Sequence, residues 1–368
     1  MTDGRGGYRG NPQDSGNKIR ETLPNGFVLR NAASGYSYRI VRVLGNGGFG
    51  VTYEGIAVER NMRVAIKEFF PVGVTARNAA YAVTVTGDEA TVRTRLMSFF
   101  KEAQVLQSLS GISSVVRIYD YFYANQTAYY IMEYIEGGTL LKFIEKNGVL
   151  DEGRYRSRFQ QLMHDIELLH RQGVIHRDIS PDNIMRTNDG RFKLIDFGSA
   201  RDFTGNQNLT VNVKQNFAPI EQYSESGQGT YTDVYALAAT MYYCFTGKLV
   251  PSPFSRTAAT DGEMISALTA ARLNQQQIRA LTRALTVKPK ERFQTMYEFE
   301  QAYYGTAGGG QTKPPQVLSR KPAGNSLIQQ LDLPGKWAAA VLLMRSEPVF
   351  PVLSAIFLAA AAVVAAVL

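Results

Sequence analysis

His176-Arg177-Asp178-Ile179-Ser180-Pro181-Asp182-Asn183-Ile184 sets an aspartate and an asparagine five residues apart in a stretch with loop character. A second aspartate follows in Leu194-Ile195-Asp196-Phe197-Gly198. The residues between them read as a hairpin, because two apolar runs, Ile184-Met185 and Phe192 to Ile195, flank Asp189-Gly190 at a turn. Such a hairpin brings Asn183 and Asp196 together, and carboxylates converging beside a carboxamide suit a hard divalent cation such as Mg²⁺. Asp and Asn are also common in loops merely because they bond to nearby backbone, so the rest of the chain has to decide.

A length of 368 residues allows two or three domains and a full hydrophobic core. The formal charge of +8 comes from scattered basic residues, so no specific nucleic-acid partner is expected. Cys244 is the single cysteine, which excludes an internal disulfide and a Cys-rich zinc site and fits a reducing compartment. Three separated histidines speak against a His-based metal centre.

Residues 1–22 are polar, with Gly-Arg repeats, and read as a disordered tail. From Tyr36 to Leu44 the sequence alternates in strand fashion and runs into Gly45-Asn46-Gly47-Gly48-Phe49-Gly50. Strand character resumes at Val51-Thr52 and again from Met62, closing on Val64-Ala65-Ile66-Lys67. A glycine-rich turn between two strands lets backbone amides approach phosphate oxygens, and a lysine one strand further on reaches the same phosphates as a point charge. The polar stretch between Lys67 and the next helix, including Thr84, Thr86, Gly87 and Asp88, reads as an insertion without an assigned role. A helix is predicted over 91–109 with Glu102 on it, then strands over 115–122 and 128–133. Gly137-Gly138 breaks the pattern and reads as a hinge to a helical remainder, with helices over 140–146, 154–172 and 232–245 and a last pair around Lys288 to Phe293.

The final run, Val349 to Leu368, holds twenty residues without a charge, which matches the ~20 needed to cross a bilayer. A buried soluble helix is the alternative reading. Lys313, Arg320, Lys321, Lys336 and Arg345 precede the run, so the positive-inside rule places everything upstream in the cytoplasm, with a single-pass anchor in the inner or plasma membrane.

Taken together, Gly45 to Val51, Val64 to Lys67, Glu102, His176 to Asn183, Asp196 to Gly198 and Ala218 to Glu221 stand in an order that resembles the eukaryotic-type protein kinases, in the Ser/Thr branch found in bacteria. The resemblance implies an α+β, bilobal fold over 36–305, with a small β-rich lobe (36–134) and a larger helical lobe (138–305), followed by a linker (306–348) and the transmembrane helix (349–368). It implies ATP and Mg²⁺ or Mn²⁺ as cofactors. Lys67 would hold the phosphates and pair with Glu102, while Asp178 would take the proton of the substrate hydroxyl. Asn183 and Asp196 would bind the metal. The nucleotide would be lined by Leu44, Gly45, Asn46, Gly47, Gly48, Phe49, Gly50, Val51 and Thr52, and by Ala65, Met185 and the backbone at Glu133 and Ile135. Val51, Ala65 and Met185 would sandwich the adenine, with Met132 behind it. Asp233 would brace the catalytic loop and Glu221 would pair with Arg292.

Two departures stand out. Ser180 occupies the place where Ser/Thr kinases of this family usually carry a lysine, and Val213 or Lys214 stands where they usually carry a threonine. Arg177 next to Asp178 implies control by phosphorylation of the loop that follows Gly198, with Thr204 and Thr210 as candidate sites. The expected partners are protein substrates, the membrane, and a second copy of the chain for autophosphorylation in trans. A pseudokinase scaffold, favoured by Ser180, and a small-molecule kinase of related fold are the competing functions.

Overall fold

The computed structural model describes residues 22–198, 201–202, 216–223 and 227–305. The tail up to residue 21, Thr204, Thr210, Val213, Lys214, the linker from 306 and the apolar run 349–368 lie outside the described residues. Among the described residues no helix is long and apolar enough to cross a membrane.

Two lobes follow one another along the chain. The first is built on a six-stranded antiparallel sheet of order β1-β2-β3-β4-β8-β7: β1 (Val28–Arg30), β2 (Ser37–Gly47), β3 (Gly50–Ala57), β4 (Met62–Phe69), β7 (Ile118–Ala124) and β8 (Thr127–Glu133). The sheet thus begins upstream of residue 36, with β1 paired to β2 through Leu29↔Tyr38. The glycine-rich turn is the tip of the β2–β3 hairpin, and two register shifts in β2, at Ile40/Arg42 and Val43/Gly45, mark bulges on its approach. The insertion folds as a separate hairpin, β5 (Thr75–Arg77) and β6 (Val83–Val85). Asp88 ends it by capping α1 (Glu89–Ser108), its carboxylate accepting from the Thr91 N–H at 2.7 Å.

Gly137-Gly138 is not a break. It opens β9 (Gly137–Thr139), which pairs with β11 (Ile184–Thr187), so the crossing between lobes is fixed by backbone bonds. Glycine is required at 137, where φ is +139° and a Cβ would sit 2.0 Å from the Arg186 carbonyl oxygen.

The second lobe is mainly helical: α2 (Leu140–Asn147), α3 (Glu152–Arg171), α4 (Thr230–Thr246), α5 (Ala258–Ala270), α6 (Gln275–Ala284) and α7 (Met296–Tyr304). Side-chain caps start α2, α3, α5, α6 and α7 at Thr139, Asp151, Thr257, Asn274 and Thr295. Helix α4 is buried on every face from Thr232 to Phe245, so it serves as the post around which the lobe packs. β10 (Val174–Ile175) pairs with β13 (Arg201–Asp202), and β11 with β12 (Phe192–Leu194). The main core runs from α4 through α3 into α1, joining Phe99, Ala103 and Leu106 to the helical lobe, while a second core lies on the outer face of the sheet around Tyr53, Val64 and Ile66. Helix α1, which carries Glu102, packs on β7 and β8, with Phe99 against Phe69 and Tyr130, and shares one continuous core with the helical lobe.

Candidate active site at the lobe junction

Cross-strand partners share a face of a sheet, and successive residues alternate between faces. In the β3–β4 ladder Thr52 faces Lys67 and Glu54 faces Ala65, whereas Val51 faces Glu68. The first set turns toward the junction of the lobes. Val51 turns away into the outer core, where it is fully buried. The expected contact of Val51 with a nucleotide base is therefore corrected: Thr52 holds that face, and one residue of register decides it.

Lys67 Nζ lies 3.0 Å from Glu102 Oε1 and 3.2 Å from Asp196 Oδ1. Tyr130, the cross-strand partner of Lys67, donates its hydroxyl to Glu102 Oε1 at 2.9 Å. Burial alone would depress the lysine, but the Asp196 and Glu102 carboxylates outweigh it and hold Lys67 well above the ordinary lysine range, so it is charged. The sequence pairing of Lys67 with Glu102 is thus present as an ion pair, extended by Asp196.

The β11–β12 hairpin forms as read, with Ile184↔Leu194 in register and the Ile195 N–H donating to the Asn183 carbonyl at 2.9 Å. Asn183 Nδ2 donates to Asp178 twice, to its carbonyl at 2.8 Å and to Oδ2 at 2.7 Å. With that nitrogen committed to Asp178, the amide oxygen is the atom of Asn183 suited to a cation. An amide oxygen and the half-exposed Asp196 carboxylate form a donor set that fits Mg²⁺, which binds through one or two protein oxygens and completes its shell with water and phosphate.

Arg177 and Asp196 both have positive φ, +67° and +62°, in the left-handed region that non-glycine residues seldom adopt. The surroundings of Arg177 hold it there. Asp233, fully buried at the start of α4, accepts from the N–H groups of His176 and Arg177 at 2.8 Å each. Gln222 Nε2 donates to the Arg177 carbonyl at 2.7 Å, so both flanking peptides of Arg177 are pinned. His170 Nε2 lies 2.9 Å from Asp233 as well. Burial pushes the Asp233 carboxyl up, but its bonds to His170 and the Arg177 N–H outweigh burial and hold it below the ordinary aspartate value. His176 packs edge-on against Phe197 at 4.5 Å between ring centroids.

Further out, Glu221 and Arg292 form the expected buried pair through two contacts of 2.6 and 3.0 Å. Arg292 also donates to the carbonyls of Thr286 and Val287 at 2.6 and 2.7 Å. Met185 faces Thr139 across the β9–β11 ladder, and the Glu133 N–H is taken by the Arg117 carbonyl at 2.8 Å. Ile135 lies two residues further on, beyond Tyr134. On the glycine-rich turn Leu44 and Phe49 are exposed. Ser180 is fully buried, and its carbonyl accepts from the Asn183 N–H at 3.0 Å. Tyr130, His170 and Gln222 had no role in the sequence reading; the only signal for Gln222 was its place beside Glu221.

The sequence family described as "Protein kinase domain" matches residues 38–304. "Serine/threonine-protein kinase PknA" of Nostoc sp. is 31% identical over 301 residues, covering 77% of this chain and 49% of that protein. "Serine/threonine-protein kinase F" of Synechocystis sp. is 29% identical over 313 residues, covering 79% and 60%. The chain therefore spans about half to three fifths of the length of these curated relatives. Among solved structures, "PpkA-294 apo form" aligns with a TM-score of 0.65 at 30% identity, covering 77% of this chain and 99% of that one.

Proposed function

The chain belongs to the protein kinase family, and on that premise we propose that it is a membrane-tethered serine/threonine protein kinase that transfers the ATP γ-phosphoryl group to protein hydroxyls, its own included. The observation that carries the reading is the joined set Lys67–Glu102–Asp196 beside Asp178–Asn183, because it unites phosphate, metal and proton handling at one junction. The names of the similar proteins favour serine and threonine as acceptors.

In this reading Lys67, kept charged by two carboxylates, binds the α- and β-phosphates, and the amides of Gly45 to Gly50 cover them. Thr52 and Ala65 lie over the base, Met185 beneath it, and the Glu133 and Ile135 backbone meets its edge. Asn183 and Asp196 would hold a Mg²⁺ or Mn²⁺ ion, which would supply neutralisation of charge on the phosphate oxygens. Asp178, oriented by Asn183, receives the acceptor hydroxyl's proton as its oxygen bonds to the γ-phosphorus and the bond to the β,γ-bridging oxygen breaks.

Ser180 favours a second reading, a scaffold that binds nucleotide without efficient transfer, since one cation near the transferred group is replaced by a neutral side chain. Phosphoamino-acid analysis after incubation with γ-labelled ATP and a general protein acceptor separates the two: phosphoserine or phosphothreonine is expected, and phosphotyrosine or no label contradicts the proposal. The tether rests on the charge-free run 349–368 behind five basic residues. Flotation of the full chain with liposomes, lost on deletion of 349–368, is the expected result; flotation unaffected by the deletion contradicts it.

A further inference from the structure

The stretch between β4 and α1 carries none of the residues proposed to handle nucleotide, metal or proton, yet it touches the glycine-rich turn directly. On leaving β4 the chain continues the β3 pairing: the Phe70 N–H donates to the Phe49 carbonyl at 3.1 Å, and the Val72 N–H to the Gly48 carbonyl at 3.0 Å. So close an approach requires glycine at 50, where a Cβ would lie 2.0 Å from the Glu68 carbonyl oxygen. The chain then enters the β5–β6 hairpin, whose Arg77 turns back beneath the outer face of the sheet. There Arg77 Nη2 meets Glu68 Oε2 at 2.6 Å, with neither side chain exposed to any degree (0% each).

The same carboxylate accepts from Tyr53 and Tyr129 hydroxyls at 2.7 and 2.8 Å. Arg77 also donates to the Tyr81 carbonyl at 2.9 Å, closing its own hairpin, and its guanidinium lies 4.7 Å from the Phe70 ring centroid. Apolar residues of similar volume often fill such places as stably, so the pair is read here for the geometry it sets: it fixes where Glu68 and Phe70 stand. Arg77 grips Glu68 and Phe70, the residues on either side of the point where β4 ends. Phe70 in turn makes the first bond to the turn.

We propose that Arg77 is a positioning residue for nucleotide binding: through Glu68 and Phe70 it holds residues 70–72 against Gly48 and Phe49 and so restrains the glycine-rich turn before nucleotide arrives. A turn ordered in advance loses less freedom on binding, so the restraint appears in nucleotide affinity and not in the transfer step. The proposal rests on the reading of residues 45–50 as the phosphate-binding turn.

The test compares the full chain with Arg77→Met, Arg77→Lys and Val72→Pro. The last removes one donor to the turn at a residue that is 58% exposed, leaving the buried pair intact. Hydrogen exchange over 45–52 and 69–73 is measured without nucleotide, and Kd for a fluorescent ATP analogue and steady-state rates are measured alongside. Arg77→Met is expected to speed exchange in both segments about tenfold or more, and to raise Kd and KM for nucleotide about 3- to 30-fold with kcat little changed. Arg77→Lys recovers part of the effect, and Val72→Pro reproduces part of it. A folded Arg77→Met with unchanged exchange over 45–52, or a Val72→Pro with unchanged exchange and affinity, overturns the proposal. Should Arg77→Met not fold, Val72→Pro decides alone. Wild-type protein that transfers no phosphate would defeat the kinase reading, while the exchange and affinity comparisons would still judge Arg77.

Discussion

Replacing Asp233 by asparagine keeps the size of the side chain and removes its charge at the point where the large lobe grips the loop that carries Asp178. The carboxylate has two N–H donors at 2.8 Å and His170 at 2.9 Å, with no exposure to water. Asparagine offers one oxygen, and its NH₂ group then confronts a backbone N–H, donor against donor. Hydrogen bonds to a charged acceptor contribute about 1.5–3 kcal/mol each, and a buried donor left unpaired costs about 1–3 kcal/mol, so the total loss is roughly 3–5 kcal/mol. For a domain of this size that corresponds to a Tm lower by about 6–20 °C. Activity should fall as well, because Arg177 is kept at φ +67° by these bonds and Asp178 follows it. Lys67 and Glu102 are untouched, so KM for ATP should stay near wild type while kcat drops about 10- to 100-fold.

The pH dependence has a definite sign. Asp233 titrates below the ordinary value of 3.8 in the fold, so its stabilisation is complete above that value and is lost as pH falls through the lowered one. The stability gap between wild type and Asp233→Asn should therefore be constant near neutrality and narrow below about pH 4. Thermal melts across pH, paired with steady-state kinetics, make the check. A variant with unchanged Tm and unchanged kcat would refute the claim that Asp233 sets the loop.

Arg292→Met leaves the Glu221 carboxylate buried without its cation and deprives two carbonyls of donors, so a loss of about 3–5 kcal/mol is expected in denaturant titrations. Glu102→Gln should lower kcat/KM about 10- to 100-fold with little loss of stability, since Lys67 keeps Asp196 but loses the opposite charge that ties it to α1; steady-state kinetics and a melt together test this. The two faces of β3 are separated by a pair of swaps. Val51→Thr puts a hydroxyl into the outer core and should cost about 1–3 kcal/mol with nucleotide affinity unchanged, whereas Thr52→Val should alter nucleotide Kd and leave stability within about 1 kcal/mol.

The approach of Asn183 to Asp196 is legible in the sequence from the Asp-Gly hairpin between them, whereas the Lys67–Glu102 and Glu221–Arg292 pairs are legible only through the order of motifs that the chain shares with the kinases. What escaped reading depends on register or on tertiary placement. Val51 and Thr52 are both good strand formers, and only the ladder with Lys67 and Glu68 tells which one faces the cleft. Gly137-Gly138 carries the composition of a break, but close pairing with β11 makes a strand of it. β1 is three residues long, too short for periodicity, and β5 and β6 are no longer. The buried set around Glu68 gives no local signal, since Arg77, Tyr53 and Tyr129 reach it from three separate strands.

The central claim is that Asp178, held by Asn183 beside the Lys67–Glu102–Asp196 set, makes this chain transfer phosphate. The most direct measurement follows label from γ-³²P-ATP into protein with Mg²⁺ or Mn²⁺, for wild type and Asp178→Ala, with a fluorescent ATP analogue reporting binding in both. Label in the wild type, its loss in Asp178→Ala, and equal nucleotide affinity in the two is the result predicted here. Equal label in both proteins, or none in a wild type that binds nucleotide, would contradict it.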